Sequence, residues 1–376
     1  MSERKLLSIC IPTYNRSKYL GKLLSCLYNE AAGLEDLFEI CISDNNSSDN
    51  TFSIVEKWSS KLPIRYRKNG ANILFDANLF RSVSLARYEF IWFLSDDDMV
   101  IEGSIARLME YLSQVRRSKV GSVYINSSQA IGDTIHYDFK GVRLFDIEGY
   151  SRPLLNLSFL GSICVRRKFA QEIISRKISI RGPIVKKKVK DPYLFYDFPH
   201  SYLFLECALM GGKIVIVPEP CIRILCDSTR LSYEHRCYMS TLMLLFSMDL
   251  KNNYPWCNDL AQSQSLKLLA LIRFLDILLR ASLVARRPNL EEACVANYEL
   301  SRLYFKSFGN LPMFHLCRMV ELARHSTPFK KLLILTSFIA IKALKINVSD
   351  KPNNSLSMKK KMSMSISRAN KYLGNA

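Results

Sequence analysis

Leu6–Ile11 is an apolar run with the composition of a strand covered on both faces, and it narrows the fold more than any other segment. Such a strand lies inside a sheet with helices packed above and below it. Pro12-Thr13-Tyr14-Asn15-Arg16 ends the run, and Ser17 is read as the cap of a helix that carries Leu20, Leu23, Leu24 and Leu27 on one face. The alternation then repeats. Phe38–Ile42 is the second strand, and the polar stretch Ser43–Thr51 leads into a helix with Ile54, Val55 and Trp58. Ile64–Arg67 is the third strand, Asn72–Asn78 reads as a loop, and Leu79–Ala86 reads as the helix beyond it. Tyr88–Leu94 is the fourth strand. Strand–helix alternation of this kind predicts an α/β fold with an open, largely parallel sheet. Ligands of such sheets bind at the carboxyl ends of the strands. Asn15, Asp44, the Asn72 loop and Asp96–Asp98 all fall at those ends.

The fourth strand runs into Ser95-Asp96-Asp97-Asp98. Three consecutive carboxylates repel one another, and a cation relieves that repulsion. Hard oxygen ligands suit Mg²⁺ or Mn²⁺, and such ions hold substrate phosphates. The competing reading is a solvated acidic turn that caps a helix near Ile101–Leu112.

Beyond about Val120 the pattern is less regular. Gly121–Ile125, Ser162–Val165 and Ile214–Val217 are strand-like, and Lys186-Lys187-Lys188 is a basic loop. Asp197-Phe198-Pro199-His200 precedes an apolar helical run, Tyr202–Met210, which Gly211-Gly212 ends. From Arg236 onward the chain reads as almost wholly helical, with a loose Lys-rich tail after Lys351. The expected organisation is therefore an α/β part over residues 1–120, a less regular part over 121–235 and a helical region over 236–376.

The formal net charge is +19. From Arg236 to the end there are 21 Lys and Arg against 8 Asp and Glu, an excess that suits an anionic surface or is solvated. The 11 Cys are odd in number and without CxxC spacing, which fits reduced thiols in the cytoplasm. No signal peptide is read at the N-terminus, and the apolar window Leu332–Ile341 is too short to span a bilayer.

Three blocks occur in order: Ile11-Pro12-Thr13-Tyr14-Asn15-Arg16; Ser43-Asp44-Asn45 with Ser47, Asp49 and Thr51; and Ser95-Asp96-Asp97-Asp98. Together they closely resemble family 2 glycosyltransferases of the GT-A fold, over about residues 5–235. Glu39–Asn45, the Asp76…Asn78 segment and Phe198-Pro199-His200 are most similar to the abequosyltransferase branch of bacterial O-antigen (lipopolysaccharide) synthesis. The resemblance implies a Rossmann-like nucleotide-binding sheet with a donor-binding half over 1–120 and an acceptor-binding half over 121–235, a mostly helical C-terminal region and a nucleoside diphosphate sugar donor. It implies that Pro12, Tyr14 and Asn15 lie around base and ribose, and that Asp44 accepts a hydrogen bond from the base. Asn45, Asn72, Asp76, Asn78 and Asp96 complete the implied donor set. The metal, Mn²⁺ or Mg²⁺, is expected on Asp97 directly, with Asp96 supporting it through water.

Two departures bear on these expectations. Ser95 stands where the family writes the first Asp of its metal motif, and Ile73-Leu74 stands where it often has a Gly. The second implies a different backbone path after Asn72. No Glu-Asp pair supplies the acceptor base, and Asp197 and His200 occupy the corresponding region. A His side chain as a residue type can take a proton directly near neutral pH, which favours His200, whereas Asp197 needs an acceptor held close. Phe329–Ile346 reads either as an interfacial helix against the membrane, reinforced by Lys359-Lys360-Lys361, or as an ordinary core helix. The expectation is a cytoplasmic enzyme peripheral on the inner face of the cell membrane. It would move a sugar, such as the dideoxyhexose abequose, to a polyprenyl-linked saccharide. A nucleic-acid partner is not expected, because no helix-turn-helix or zinc module accompanies the charge. A glycosyltransferase-like scaffold without activity is the other alternative, prompted by Ser95 and the missing Glu-Asp.

Overall fold

Strand β1 (Leu7–Thr13) and strand β2 (Phe38–Asp44) are buried at every position, as apolar runs of this kind require. The computed structural model describes residues 5–34, 36–129, 143–146, 159–181 and 198–224. The chain forms two compact units, Met1–Cys226 and Asp227–Ala376. The second unit, Asp197 and the Lys186–Lys188 loop lie outside the described residues, and with them every expectation for Phe329–Ile346 and the Lys-rich tail. Among the described residues no helix is long and apolar enough to cross a membrane.

In the first half, β1 and β2 are joined by β3 (Ile64–Lys68) and β4 (Phe90–Phe93) in the order β3-β2-β1-β4, all parallel. Helices α1 (Ser17–Glu30), α2 (Thr51–Ser59) and α3 (Leu74–Leu85) make the crossovers. α1 buries the expected Leu20, Leu23, Leu24 and Leu27. The cap of α1 differs from the expectation. Ser17 is its first residue, and no side chain of its own neighbourhood caps it. The acceptor is Asp49, whose Oδ2 takes the Ser17 N–H at 2.9 Å while its Oδ1 takes the Thr51 N–H at 3.1 Å. One carboxylate thus starts α1 and α2 together.

The helix of Asn72–Ala86 also begins earlier than expected. α3 starts at Leu74, so Asp76 and Asn78 are helical residues and not loop residues. The first exposed N–H groups find acceptors nearby. Ile73 N–H donates to Asn45 Oδ1 at 2.8 Å, and Leu74 N–H donates to Asn72 Oδ1 at 3.0 Å.

The expectation of a largely parallel sheet holds up to β4 and fails beyond it. β5 (Met99–Val100), helix α4 (Ser104–Val115), β6 (Val120–Gln129), β7 (Arg143–Asp146), β8 (Ile163–Arg166) and β9 (Lys213–Ile224) extend the order as β4-β8-β6-β9-β5. β8 is antiparallel to both β4 and β6, while β6 and β9 are parallel. β5 and β7 both run antiparallel to β9. Strands buried on both faces carry no mark of direction in their apolar pattern, so the reversal at β8 is not written locally.

Helices α1, α2 and α4 pack together on one face of the sheet. α3, α5 (Arg167–Arg181) and α6 (Pro199–Gly211) pack together on the other. α6 is buried almost all round, and Gly212 at φ +73° closes it with its N–H on Ala208 O at 2.8 Å. Its seat on β6 depends on Gly121, where an added Cβ would stand 1.7 Å from Cys207 O. A backbone carbonyl cannot rotate away as a side chain can. Gly121→Ala is therefore expected to lower the unfolding free energy by about 3 kcal/mol, the upper part of the overpacking range. Urea denaturation checks this, and a loss below about 0.5 kcal/mol would mean that α6 shifts freely.

Candidate active site

Because β1 to β4 are parallel, their carboxyl ends form one edge, and Thr13, Asp44 and Lys68 are register partners along it. The residues that leave this edge are under unusual backbone constraint. Asn15 (φ +52°), Asn46 (φ +66°) and Leu74 (φ +69°) are the non-glycine residues with positive φ among the described residues. They follow β1, β2 and β3 respectively. Strained residues of this kind gather where a loop is held for function. The segment after Asn72 holds the left-handed Leu74 without a Gly, secured by the hydrogen bonds of Asn45 and Asn72.

The loops after β1 and β2 are clasped. Asn15 N–H donates to Ser47 Oγ at 2.9 Å, and Ser48 N–H donates to Asn15 Oδ1 at 2.8 Å. Asp49 adds its bond to Ser17. Burial works to raise the Asp49 pKa, but the hydrogen bonds from Thr51 and Ser17 outweigh it and leave it below the usual carboxylate value. The clasp projects Tyr14, which is 44% exposed, while Pro12 is buried beside Ser43 at the strand end. An exposed ring held on a fixed loop can stack on a base.

Asp44 is wholly buried. Its Oδ1 accepts the Ser47 N–H at 2.8 Å and its Oδ2 accepts the Tyr66 hydroxyl at 2.6 Å. Burial and the Asp44 carboxylate together raise the Tyr66 pKa well above the usual phenol value. Each carboxylate oxygen keeps a further lone pair for a ligand. Asn45 donates to Asn72 Oδ1 at 2.9 Å and Leu74 O at 3.3 Å, which joins the β2 end to the α3 start. Asn78 is saturated inside the protein. Its amide nitrogen donates to Thr13 O and Ser43 O, and its oxygen accepts from Ser43 Oγ and Asn69 Nδ2. It acts on the edge as a strut between β1, β2 and the segment after β3. Asp76 lies half-buried in the first turn of α3.

At the end of β4 the acidic triplet separates into distinct environments. Asp96 and Asp98 are each 3% exposed, and Asp97 is half-buried. Asp96 Oδ2 accepts the Thr13 hydroxyl at 2.7 Å, and Asp97 Oδ1 accepts the Ser95 hydroxyl. The other oxygen of each carboxylate faces one guanidinium. Arg16 Nη1 is 2.8 Å from Asp96 Oδ1, and Nη2 is 2.7 Å from Asp97 Oδ2. Burial pushes the Asp96 carboxyl up to about 6, with Arg16 and Thr13 opposing the rise. Burial alone would lower the Arg16 pKa, and the two carboxylates raise it beyond the usual value. Arg16, Thr13 and Tyr66 are the functional partners that sequence reasoning missed. Arg16 had one signal: an acidic triplet demands a cation, and Arg16 is the basic residue in the loop at the same strand edge.

The donor set suits a hard divalent cation in one specific way. Among the described residues no group of three or more His, Cys, Asp or Glu forms a metal cluster. Asp96 and Asp97 offer two carboxylates side by side. Mg²⁺-type ions are bound by one or two carboxylates, with the remaining positions filled by phosphates and water.

The second half of the sheet meets the same edge. β6 runs in the direction of β4, because β8 is antiparallel to both. Ser122 Oγ donates to Phe204 O at 2.6 Å, and Gly121 abuts Cys207, so α6 runs back along β6. The first turn of α6 therefore faces the edge that carries the carboxylates. His200 sits in that turn, 4% exposed, with Phe198 edge-on at 5.9 Å between ring centroids.

A parallel donor half, loops clasped at its edge and a carboxylate pair at the end of β4 define the GT-A glycosyltransferase fold. The chain superposes on Staphylococcus aureus TarS 1–349 in complex with UDP-GlcNAc with a TM-score of 0.56 and 16% identity, over 93% of this chain and 95% of that one. Residues 8–172 match the model of glycosyl transferase family 2. The abequosyltransferase RfbV of Salmonella typhimurium is 43% identical over 109 residues, 28% of this chain and 32% of that protein. The match thus spans about a third of that relative's length. The GalNAc(5)-diNAcBac-PP-undecaprenol β-1,3-glucosyltransferase of Campylobacter jejuni is 27% identical over 270 residues, 66% of this chain and 84% of that protein.

Proposed function

We propose that this protein is a glycosyltransferase that moves a sugar from a nucleoside diphosphate sugar to a saccharide on a polyprenyl carrier, in bacterial surface polysaccharide synthesis. The observation that carries the reading is the meeting of Asp44, Tyr14 and the Asp96–Asp97 pair at one strand edge, with the first turn of α6 facing it. The similarity to RfbV supports O-antigen as the polysaccharide and a dideoxyhexose such as abequose as the sugar. The similarity to the Campylobacter jejuni enzyme, whose name carries an undecaprenol diphosphate, supports a lipid-linked acceptor. With such an acceptor, the working place of the enzyme is the inner face of the cell membrane, and the positive excess after Arg236 suits its anionic surface.

In this reading Tyr14 stacks on the base, and a lone pair of Asp44 accepts from a base N–H. Tyr66 and Ser47 hold the Asp44 carboxylate in place for that contact. Asp97 and Asp96 would hold Mn²⁺ or Mg²⁺. When bound, the cation supplies positive charge to offset that developing on the nucleoside diphosphate as it leaves. Thr13 and Ser95 orient the two carboxylates by bonding the oxygens turned away from the donor. Asp197 is taken as the base that removes the acceptor proton, since a carboxylate becomes neutral on taking it, and His200, buried against Phe198, is the alternative.

Thermal stabilisation by a panel of nucleotide sugars with Mn²⁺ tests the donor assignment, since a ligand that binds the native state raises the melting temperature. At least one donor is expected to shift it, and no shift across the panel would sink the reading. Asp44→Ala is expected to weaken the binding of that donor by about 1.5–3 kcal/mol, the range for a hydrogen bond to a charged group. Tyr66→Phe is the control, because it removes the brace and keeps the carboxylate. Calorimetric donor affinity that is unchanged in Asp44→Ala would remove Asp44 from the base site.

A further inference from the structure

We infer that Arg16 is a resident counter-ion of the carboxylate pair, which yields its place to the divalent cation and then turns to the donor diphosphate. The inference rests on the glycosyltransferase reading above and assigns Arg16 a part in it as a positioning residue. Three observations carry it. The first is competition for the same atoms. Thr13 and Ser95 occupy one oxygen of each carboxylate, and the guanidinium takes the other two, Asp96 Oδ1 at 2.8 Å and Asp97 Oδ2 at 2.7 Å. A cation held by the pair would compete with the guanidinium for those two oxygens.

The second observation is what Arg16 does without a metal. Asp96 is 3% exposed, and a buried carboxylate without a partner is strongly unfavourable. The forked guanidinium meets both carboxylates at once, which a point charge cannot do with the same geometry. The third is access. The Arg16 side chain is 41% exposed and belongs to the residue just before α1. Its guanidinium carbon lies 5.1 Å from the centroid of the Tyr19 ring while it holds the carboxylates, a contact that can keep it at the edge when it leaves them. Once displaced, the guanidinium remains at the edge where the diphosphate lies, and its fork matches phosphate oxygens.

The consequence is coupling between metal and donor. Without nucleotide, the metal must displace Arg16 and binds weakly. With the diphosphate present, Arg16 gains a new anionic partner, and metal and donor each strengthen the other by the same factor. The enzyme thereby avoids holding a metal without a donor.

The test is titration of Mn²⁺, read by the electron spin resonance of free Mn²⁺, in wild type, Arg16→Gln and Asp97→Asn. Each is measured alone and with UDP, CDP, GDP or dTDP. Without nucleotide, Arg16→Gln is expected to bind Mn²⁺ at least tenfold tighter than wild type. The best nucleotide should raise the Mn²⁺ affinity of wild type at least tenfold and that of Arg16→Gln by a factor at least threefold smaller, the remainder being the direct attraction of cation and diphosphate. The metal-free variant should also melt below wild type, with Mn²⁺ restoring the loss. Arg16→Lys keeps the charge without the fork and should fall between wild type and Arg16→Gln without nucleotide. Equal or weaker Mn²⁺ binding by Arg16→Gln without nucleotide, or undiminished coupling in it, overturns the inference. Mn²⁺ binding that survives Asp97→Asn, or that is absent from wild type under all conditions, instead overturns the metal assignment itself, and the inference falls with it.

Discussion

Asp97→Asn is expected to lower turnover by about 10²–10³-fold, equivalent to the several kcal/mol of charge stabilisation a bound cation supplies. The substitution keeps the size of the side chain and the Ser95 contact, and it removes one of the two charges facing Arg16. Asp96 retains its bonds to Arg16 and Thr13, so the end of β4 stays tied to β1. The melting temperature without metal should therefore change little, and relief of like-charge repulsion acts in the stabilising direction. Steady-state kinetics at saturating donor, with and without Mn²⁺, check the effect. Full activity with unaltered metal dependence would place the cation elsewhere.

The second large effect is expected at the acceptor base. Asp197→Asn should lower turnover by about 10²–10⁴-fold, the usual contribution of a general base. Donor affinity should survive, because the proposed nucleotide contacts come from the loops after β1 and β2 and from α3. The acidic limb of the pH–rate profile should disappear, since the group that must be deprotonated is gone. His200→Ala is the paired measurement. His200 is buried at the start of α6 against Phe198, so its loss should appear chiefly as reduced stability, within the ~0.5–3 kcal/mol range of ordinary substitutions. Its turnover per folded molecule should fall less than about tenfold, well short of a general base's contribution. The opposite pattern, with Asp197→Asn active and His200→Ala inactive, would assign the base to His200. Two active variants would place the base in another part of the acceptor half.

Much of the donor half was legible in the sequence. The apolar runs at Leu7, Phe38, Ile64 and Phe90 are strands, and the four leucines of α1 face the core as their spacing requires. The three polar blocks do meet, because parallel strands put all their carboxyl ends on one side. Where the reading slipped, a distant residue supplied what the local pattern lacked. Ser17 looks like a helix cap, yet Asp49 performs that task from 32 positions away. Asn72–Asn78 looks like a loop, yet Asn45 reaches across from β2 to take the Ile73 N–H and lets α3 begin early. Asp44 looks like an open acceptor, yet Tyr66 and Ser47 already hold it.

Residue type and spacing alone determined that this chain builds an α/β sheet with polar, acidic loops at the strand ends. Apolar periodicity and turn chemistry act over a few residues, so they can be read from a single segment. The tertiary structure decided the rest. It set the reversal of β8, because burial on both faces leaves a strand's direction unmarked. It fitted α6 against Gly121, because only packing shows that a backbone carbonyl stands where a Cβ would go. It brought Arg16 to Asp96 and Asp97 across 80 and 81 positions of chain. An ion pair of that reach depends on two strands lying side by side, and no local pattern around either partner records it.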